Sequence, residues 1–117
     1  MEFRDLKAQY LALQEKIDAN IKEVLLGGQF IFGRQVGELE EKLAEYVGVE
    51  HCISCANGTD ALLLVLLAWG IGPGDAVFTT DFTFVASASV ASVRGATPVL
   101  VDIDPQTFNI CPDALET

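Results

Sequence analysis

The segment 58-GTDALLLVLLAW-69 constrains the fold more than any other part of the sequence. Apolar side chains fill nearly every position after Asp60, so a helix here is apolar on almost all sides. Such a helix must be buried all round, and a chain of 117 residues can hardly supply that cover. We therefore expect the chain to be the N-terminal piece of a larger fold. The alternative is a small domain whose apolar faces meet in an oligomer.

Helices and strands alternate along the rest of the chain. The spacing of apolar residues predicts an amphipathic helix over about residues 4–26 and a second one after the loop 27-GGQFIFG-33. This second helix has Val36, Leu39, Leu43 and Tyr46 on one side and is closed by Gly48. Further along, the patterns predict a strand at 51-HCISC-55, the apolar helix at 58–69, a strand at 76–80, a helix at 83–93, a strand at 97–103 and a helix start at Pro112. This order predicts an α/β fold with a mostly parallel sheet covered on both faces.

Charge and hydropathy exclude several classes of partner. The net charge of -10 makes nucleic acid and anionic membrane surfaces poor partners, because both require a basic face. The N-terminal residues MEFRDLKAQY contain no apolar core of the signal-peptide kind. The longest apolar run, Ala61–Trp69, is far shorter than the ~20 residues that span a bilayer. We predict a cytoplasmic protein that contacts neither nucleic acid nor membrane.

The sequence contains three cysteines, and an odd number argues against a disulfide framework. Cys52 and Cys55 form a CxxC, a spacing also found in redox and metal sites. On a strand, however, positions three apart face opposite ways, and a zinc site needs about four ligands, with only His51 beside the thiols. We interpret Cys52, Cys55 and Cys111 as small buried residues and predict no metal site.

The residues that open the apolar helix suit an anion. A helix N-terminus carries backbone N–H groups without intrahelical partners and about half a positive charge. Gly58 permits close approach to the backbone and Thr59 adds a hydroxyl, which together form a phosphate cradle that needs no cation. Alternatively, Asn57 is an ordinary N-cap and Asp60 completes a capping box, and the Asp60 carboxylate would oppose a phosphate. The residues alone leave both interpretations open.

An ordered series of motifs across almost the whole chain resembles the DegT/DnrJ/StrS family, the pyridoxal-phosphate-dependent aminotransferases of nucleotide-linked keto sugars. The motifs are FRDLKAQY, GGQFIFG, GELEEKLAEYVG, NGTDAL, GPGD, TFVAS and GATPVLVDIDPQTFNI. The resemblance implies the N-terminal part of a fold-type-I transferase large domain, with residues 1–34 as N-terminal helix and glycine loop and residues 35–117 as the start of the α/β sheet domain. The segment DAVFTTDFTF departs from the family by lacking Glu after Gly-Asp and Pro before Thr-Phe, which affects packing or loop shape.

The resemblance implies pyridoxal 5'-phosphate as cofactor and assigns binding residues. Its phosphate would lie on the N–H groups and hydroxyl near Gly58, Thr59 and Asp60. Phe84, in TFVAS, falls where the family stacks an aromatic ring on the pyridine ring, a contact that also excludes water. The alternative for Phe84 is a core residue of the helix at 83–93.

Two further sets of residues have weaker assignments. The GGQFIFG loop is similar to one near the active site at the family's dimer interface, so Phe30 and Phe32 are candidate substrate contacts or plain packing residues. Asp102 and Asp104 follow a strand just before a turn, and we interpret them as structural or solvated rather than as a carboxylate pair.

The chain carries no predicted catalytic residue. Transamination needs a Schiff-base lysine and a carboxylate for the pyridine nitrogen, and the resemblance puts both beyond residue 117. The lysines present, Lys7, Lys16, Lys22 and Lys42, fall on the first two helices and are interpreted as solvated charges. We expect the chain alone to be inactive.

The parent enzyme implied by the resemblance is a homodimer that transfers an amino group, from glutamate, to a keto group of a nucleotide-linked sugar. Some members of the family carry His in place of the lysine and act as dehydratases or deoxygenases, and residues 1–117 do not separate these activities. The alternative from another class is a non-catalytic remnant or assembly module.

Overall fold

The computed structural model describes residues 3–115, in which three helices are followed by two strands that alternate with two further helices. Their order is α1 (Leu6–Gly27), α2 (Arg34–Val47), α3 (Gly58–Ala68), β1 (Ala76–Thr80), α4 (Ala86–Val93), β2 (Thr97–Val101) and α5 (Pro112–Leu115). The chain divides into two compact units between Ser54 and Cys55. The predicted α/β class is confirmed, whereas the division expected at residue 34 stays a prediction.

The long helix α1 has a cap at each end. The Asp5 carboxylate accepts a hydrogen bond from the Ala8 N–H at 2.8 Å, which satisfies one of the free donors of the first turn. Gly28 ends the helix in the left-handed conformation (φ 69°), and its N–H donates to the Val24 carbonyl at 3.0 Å. No described residue of α1 is fully buried, and only Ile17 and Val24 of its apolar stripe are half-buried, so most of the stripe is exposed.

Helix α2 begins after Gly33 and ends at Gly48, as its sequence predicts. Gly48 has φ 78° and donates its N–H to the Ala44 carbonyl at 2.9 Å, which confirms it as the C-terminal cap. The Arg34 guanidinium pairs with the Glu23 carboxylate of α1 and with Glu38 one turn along α2 at 3.1 Å. These pairs are exposed and add little stability.

The strand predicted at HCISC is wrong, since residues 51–55 form no regular structure. A strand requires backbone partners, but the Ser54 N–H donates to the Glu40 side chain at 2.7 Å instead of to a neighbouring strand. The interpretation of the three cysteines as small buried residues is also wrong in part, because none of them is fully buried. Cys55 is exposed, while Cys52 and Cys111 are half-buried.

The second unit is a β–α–β arrangement. Strands β1 and β2 are parallel, with a register that runs from Ala76 opposite Thr97 to Thr80 opposite Val101. Helix α4 connects them and packs against both strands and against α3. Mostly small side chains form this core and let the layers approach closely: Leu66, Ala86, Val90, Ala91, Ala96 and Val101.

The loop before β1 and the loop before β2 lie in direct contact with each other. The Asp75 carboxylate accepts the Gly72 N–H at 2.8 Å and shapes the turn after α3. The Arg94 side chain, at the end of α4, donates its Nε–H to the Ile71 carbonyl at 3.1 Å. Gly95 has φ 77°, and a Cβ there would lie 3.1 Å from Pro73 Cγ. This close approach explains a glycine at position 95.

Three boundaries or burial patterns differ from the sequence prediction. Helix α4 begins at Ala86 rather than at residue 83, and β2 ends at Val101 rather than at 103. The Asp102 carboxylate accepts the Ile103 N–H at 2.8 Å, which turns the chain out of the ladder. In α3 only Leu66 is buried among the described residues, so the all-round burial that its composition demands is absent from this unit.

Candidate functional site

The start of α3 is an N-cap built by Asn57. This residue is extended (φ -164°, ψ 173°), and its side-chain oxygen accepts the Asp60 N–H at 3.0 Å. Its backbone carbonyl accepts the Ala61 N–H at 3.1 Å, the first hydrogen bond of the helix. The prediction of Asn57 as the N-cap is therefore confirmed.

Asp60 takes part in the same cap through its side chain. The Asn57 amide nitrogen donates to the Asp60 carboxylate at 3.1 Å, so the two residues bond each other twice. A capping box would direct this carboxylate to the N-cap backbone N–H, whereas here it meets the side-chain amide. The carboxylate is thus turned toward Asn57, and the Asp60 N–H is already occupied.

Gly58 and Thr59 keep the donors that an anion requires. Within residues 3–115, neither backbone N–H has a hydrogen-bond partner, and the Thr59 hydroxyl has none either. A Cβ built on Gly58 meets no atom within 4 Å, so the space beside this backbone is open. Two unpaired N–H groups and a hydroxyl at a helix N-terminus fit a phosphate group.

Phe84 lies in the segment between β1 and α4. The residue is 72% exposed, and its carbonyl accepts the Ser87 N–H at 3.0 Å, which begins the turn that leads into α4. Within residues 3–115 Phe84 is not buried, so this part of the chain does not support a core role, and the stacking role stays a prediction. Helices α3 and α4 pack together, so the N–H cradle at the start of α3 and the Phe84 ring just before α4 belong to the same compact unit.

An aromatic pair beside Phe84 was not singled out from the sequence. The rings of Phe82 and Phe108 have centroids 5.6 Å apart and planes inclined at 38°. Phe82 follows β1 and Phe108 follows β2, and the carboxyl ends of adjacent parallel strands are a common location for ligand sites. The sequence signal was limited to Phe82, two residues after β1, because Phe108 lies seven residues beyond the end of β2.

The carboxylates after β2 are structural, as predicted. The Asp104 side chain accepts the N–H groups of Thr107 at 2.8 Å and Gln106 at 2.9 Å, and the Thr107 hydroxyl at 3.1 Å. These bonds, the Thr107 N–H foremost, hold the pKa of the Asp104 carboxyl below its usual range. Asp104 therefore closes a turn and is not poised as a catalytic acid.

Phe30 and Phe32 belong to the other compact unit. Phe30 lines an apolar hollow of about 350 Å³ together with Ile21, Val24 and Leu25. Phe32 has φ 49°, and its carbonyl accepts the Gln29 side-chain amide at 3.3 Å. Both rings are largely exposed, so neither is a packing residue here, and their substrate role stays a prediction.

The remaining ionisable residues do not form a second candidate site in residues 3–115. The lysines of α1 and α2 are exposed, as expected of solvated charges: Lys7, Lys16, Lys22 and Lys42. The described His, Cys, Asp and Glu residues include no group of three placed to share a metal ion. Among the described helices, none combines the length and hydropathy needed to cross a membrane.

Comparison with known proteins identifies the family. Residues 11–117 match the DegT/DnrJ/EryC1/StrS aminotransferase family. The UDP-2-acetamido-2-deoxy-3-oxo-D-glucuronate aminotransferase of Pseudomonas aeruginosa is 55% identical over 99% of this chain and 32% of its own length. An aminotransferase structure of the same family from Brucella abortus matches with TM-score 0.96 and 50% identity, over 99% of this chain and 31% of that one.

A third match is the structure of S. venezuelae DesV in complex with a ketimine intermediate. It has TM-score 0.94 and 37% identity, over 98% of this chain and 31% of that chain. The chain thus spans about a third of the length of its relatives and corresponds to their N-terminal part. The chain belongs to the DegT/DnrJ/EryC1/StrS aminotransferase family.

Proposed function

We propose that this chain contributes the cofactor-phosphate part of a pyridoxal-phosphate-dependent aminotransferase that acts on a nucleotide-linked keto sugar. The observation that carries this proposal is the 55% identity, along 99% of the chain, to an aminotransferase named for a UDP-linked 3-oxo sugar acid. Amino-sugar synthesis is the corresponding role. The activity belongs to a protein about three times as long as this chain, as the relatives are.

The start of α3 is the proposed phosphate site. The Gly58 and Thr59 N–H groups and the Thr59 hydroxyl donate to the phosphate oxygens, and the helix dipole adds a favourable field. Asp60 borders the site, and its carboxylate stays engaged by the Asn57 amide. The exposed Phe84 ring is the proposed platform for the pyridine ring. When bound, the cofactor supplies the electron-withdrawing ring that carries the amino group.

Substrate, donor and assembly follow from the family resemblance. We propose glutamate as the amino donor and a homodimer as the working form, with Phe30 and Phe32 near the nucleotide-sugar site. The aminotransferase names of the relatives favour amination over the dehydration performed by some family members. The residue at the position of the cofactor-bonding lysine distinguishes the two reactions. The cytoplasm stays the predicted compartment.

Calorimetric titration with pyridoxal phosphate and with pyridoxal tests the phosphate site directly. In the full-length protein, Thr59→Val removes a hydroxyl at nearly constant volume, and we expect pyridoxal phosphate to bind about tenfold more weakly. Pyridoxal, which lacks the phosphate, should bind the variant and the parent equally. Thr97→Val, the same change at an exposed position of β2, is the matched control. An equal loss of affinity for pyridoxal phosphate and for pyridoxal would show that Thr59 does not contact the phosphate.

The reaction is tested with the full-length protein, glutamate and a nucleotide-linked 3-keto sugar. We expect 2-oxoglutarate and an amino sugar in equal amounts, detected by mass spectrometry. Formation of a dehydrated or deoxygenated sugar without 2-oxoglutarate would show that the protein is a dehydratase or deoxygenase rather than an aminotransferase. Absence of cofactor binding would favour the non-catalytic alternative.

A further inference from the structure

The cap of α3 contains an Asn-Gly pair with an unoccupied backbone nitrogen. Asn57 is exposed, and the N–H of Gly58 has no hydrogen-bond partner among the described residues. Gly58 has no Cβ that could crowd the nitrogen, and a Cβ built there would meet no atom within 4 Å, so the space beside this backbone is open. We propose that Asn57 is a site of spontaneous deamidation whose rate is controlled by the cap that Asn57 itself forms.

The covalent chemistry needs only water. Hydroxide removes the Gly58 amide proton, and the nitrogen attacks Cγ of Asn57 to close a five-membered succinimide ring. The bond from Cγ to the side-chain nitrogen breaks, and that nitrogen takes up a proton from water and leaves as ammonia. Water then opens the ring at either carbonyl and yields aspartate or isoaspartate. No atom changes its oxidation state, so no redox partner is required.

The native contacts oppose ring closure without preventing it. The Asn57 side chain is held twice by Asp60, at 3.0 and 3.1 Å, and must leave both contacts before Cγ can reach the Gly58 nitrogen. The Asn57 carbonyl is also held by the Ala61 N–H at 3.1 Å. Opening therefore requires only the first turn of α3 to fray, which is a low-energy local event. An N-cap of ordinary strength slows the reaction by about tenfold relative to the unfolded chain.

The product alters the same cap. Aspartate at position 57 can still accept the Asp60 N–H, but it lacks the amide donor that now meets the Asp60 carboxylate, so two negative charges face each other. Isoaspartate adds a backbone methylene ahead of Gly58 and shifts the cap. A carboxylate here also repels a phosphate at the same N–H groups, and this last consequence alone rests on the proposed function.

The chain contains its own controls. Its other two asparagines, Asn20 and Asn109, precede Ile21 and Ile110. A β-branched side chain crowds the attacking nitrogen. These two residues therefore report background conversion in the same sample and under the same conditions.

Peptide mapping by mass spectrometry of the intact protein, incubated in mildly alkaline buffer, measures conversion at the three asparagines. The incubation is run in native buffer and in guanidinium chloride, with parent protein, Gly58→Ala and Asp60→Ala. In denaturant we expect Asn57 to convert at least about tenfold faster than Asn20 and Asn109, and Gly58→Ala to abolish that excess. In native buffer the parent should convert about tenfold more slowly than in denaturant, and Asp60→Ala should convert faster than the parent.

Each arm has an outcome that overturns part of the inference. Equal conversion at the three asparagines in denaturant would refute Asn57 as the site. Equal rates for Asn57 in native buffer and in denaturant would refute control by the cap. The denatured arm stays decisive if Gly58→Ala does not fold, and this arm does not depend on cofactor binding.

Discussion

At the scale of single residues, Asn57 decides whether α3 begins where it does. Its side chain satisfies one of the helix's free donors, the Asp60 N–H. Asn57→Ala leaves that donor without a protein partner, so we expect the free energy of unfolding to fall by about 1 kcal/mol. Urea denaturation followed by circular dichroism measures the change. Asn57→Ser keeps an acceptor at the cap and serves as the control, and equal losses in both variants would show that the acceptor is not what stabilises α3.

Glu40 links α2 to the segment that follows it, and this link depends on pH. The Ser54 N–H and then its hydroxyl, both at 2.7 Å, lower the pKa of the Glu40 carboxyl in the folded state. The unfolded chain therefore takes up a proton first as the pH falls. The contribution to stability is complete above the ordinary glutamate pKa of about 4.3 and is lost as the pH falls through the lower folded value.

Glu40→Gln should accordingly flatten the dependence of the urea midpoint on pH below about pH 5. Glu45→Gln is the matched control, because Glu45 lies on the same helix without a side-chain hydrogen bond in the described residues. The dependence will not vanish, since the pKa of Asp104 is lowered as well. Identical pH profiles for the two variants would contradict a role for the Glu40–Ser54 contact.

Residue roles that depend on near neighbours could be predicted from the sequence, and those that join distant segments could not. Asn57 as N-cap and Gly48 as C-cap are correct because each acts on residues within one turn. The bond from Ser54 to Glu40 spans fourteen residues, and no local pattern announces it. The unpaired donors of Gly58 and Thr59 were predictable for the same local reason as the cap, whereas the Phe82–Phe108 ring contact depends on strand pairing.

At the scale of secondary-structure elements, Gly95 lies where the loop between α4 and β2 approaches the loop before β1. Gly95→Ala places a side chain in the left-handed region, at φ 77°, and 3.1 Å from Pro73 Cγ. Gly70→Ala has the same conformational penalty at φ 73° but meets open space. We expect Gly70→Ala to cost about 1 kcal/mol and Gly95→Ala about 1 kcal/mol more, because the Pro73 ring is rigid. Urea denaturation of both variants gives the difference, and equal losses would show that Pro73 moves aside.

Whether a predicted strand formed depended on the presence of a neighbouring strand, not on the β-propensity of the segment itself. The β-rich run at 76–80 became β1 because β2 lies parallel beside it over five residue pairs. HCISC was also predicted as a strand, but no described strand lies beside it, and the Ser54 N–H donates to the Glu40 side chain instead. Local composition thus indicates which segments can be strands, and the tertiary fold selects among them.

At the scale of the whole molecule, apolar exposure and net charge oppose each other. Leucines are exposed along α1 and α3, including Leu11, Leu26, Leu62, Leu64 and Leu67. Such surfaces favour association, while the net charge of -10 keeps copies apart. Salt should decide between these effects, because the screening length falls from about 30 Å at 0.01 M to about 3 Å at 1 M.

We therefore expect the 117-residue chain, expressed alone, to be monomeric at low ionic strength and to associate as sodium chloride is added. Light scattering coupled to size-exclusion chromatography measures the mass at each salt concentration. Leu11→Glu adds a charge on an apolar position of α1 and should raise the salt needed, whereas Gln9→Glu adds the same charge to an exposed polar position of the same helix and should raise it less. If the two variants behave alike, charge alone governs association and the apolar surface of α1 does not contribute. If the parent stays monomeric at every salt concentration, the exposed leucines do not drive association in the isolated chain.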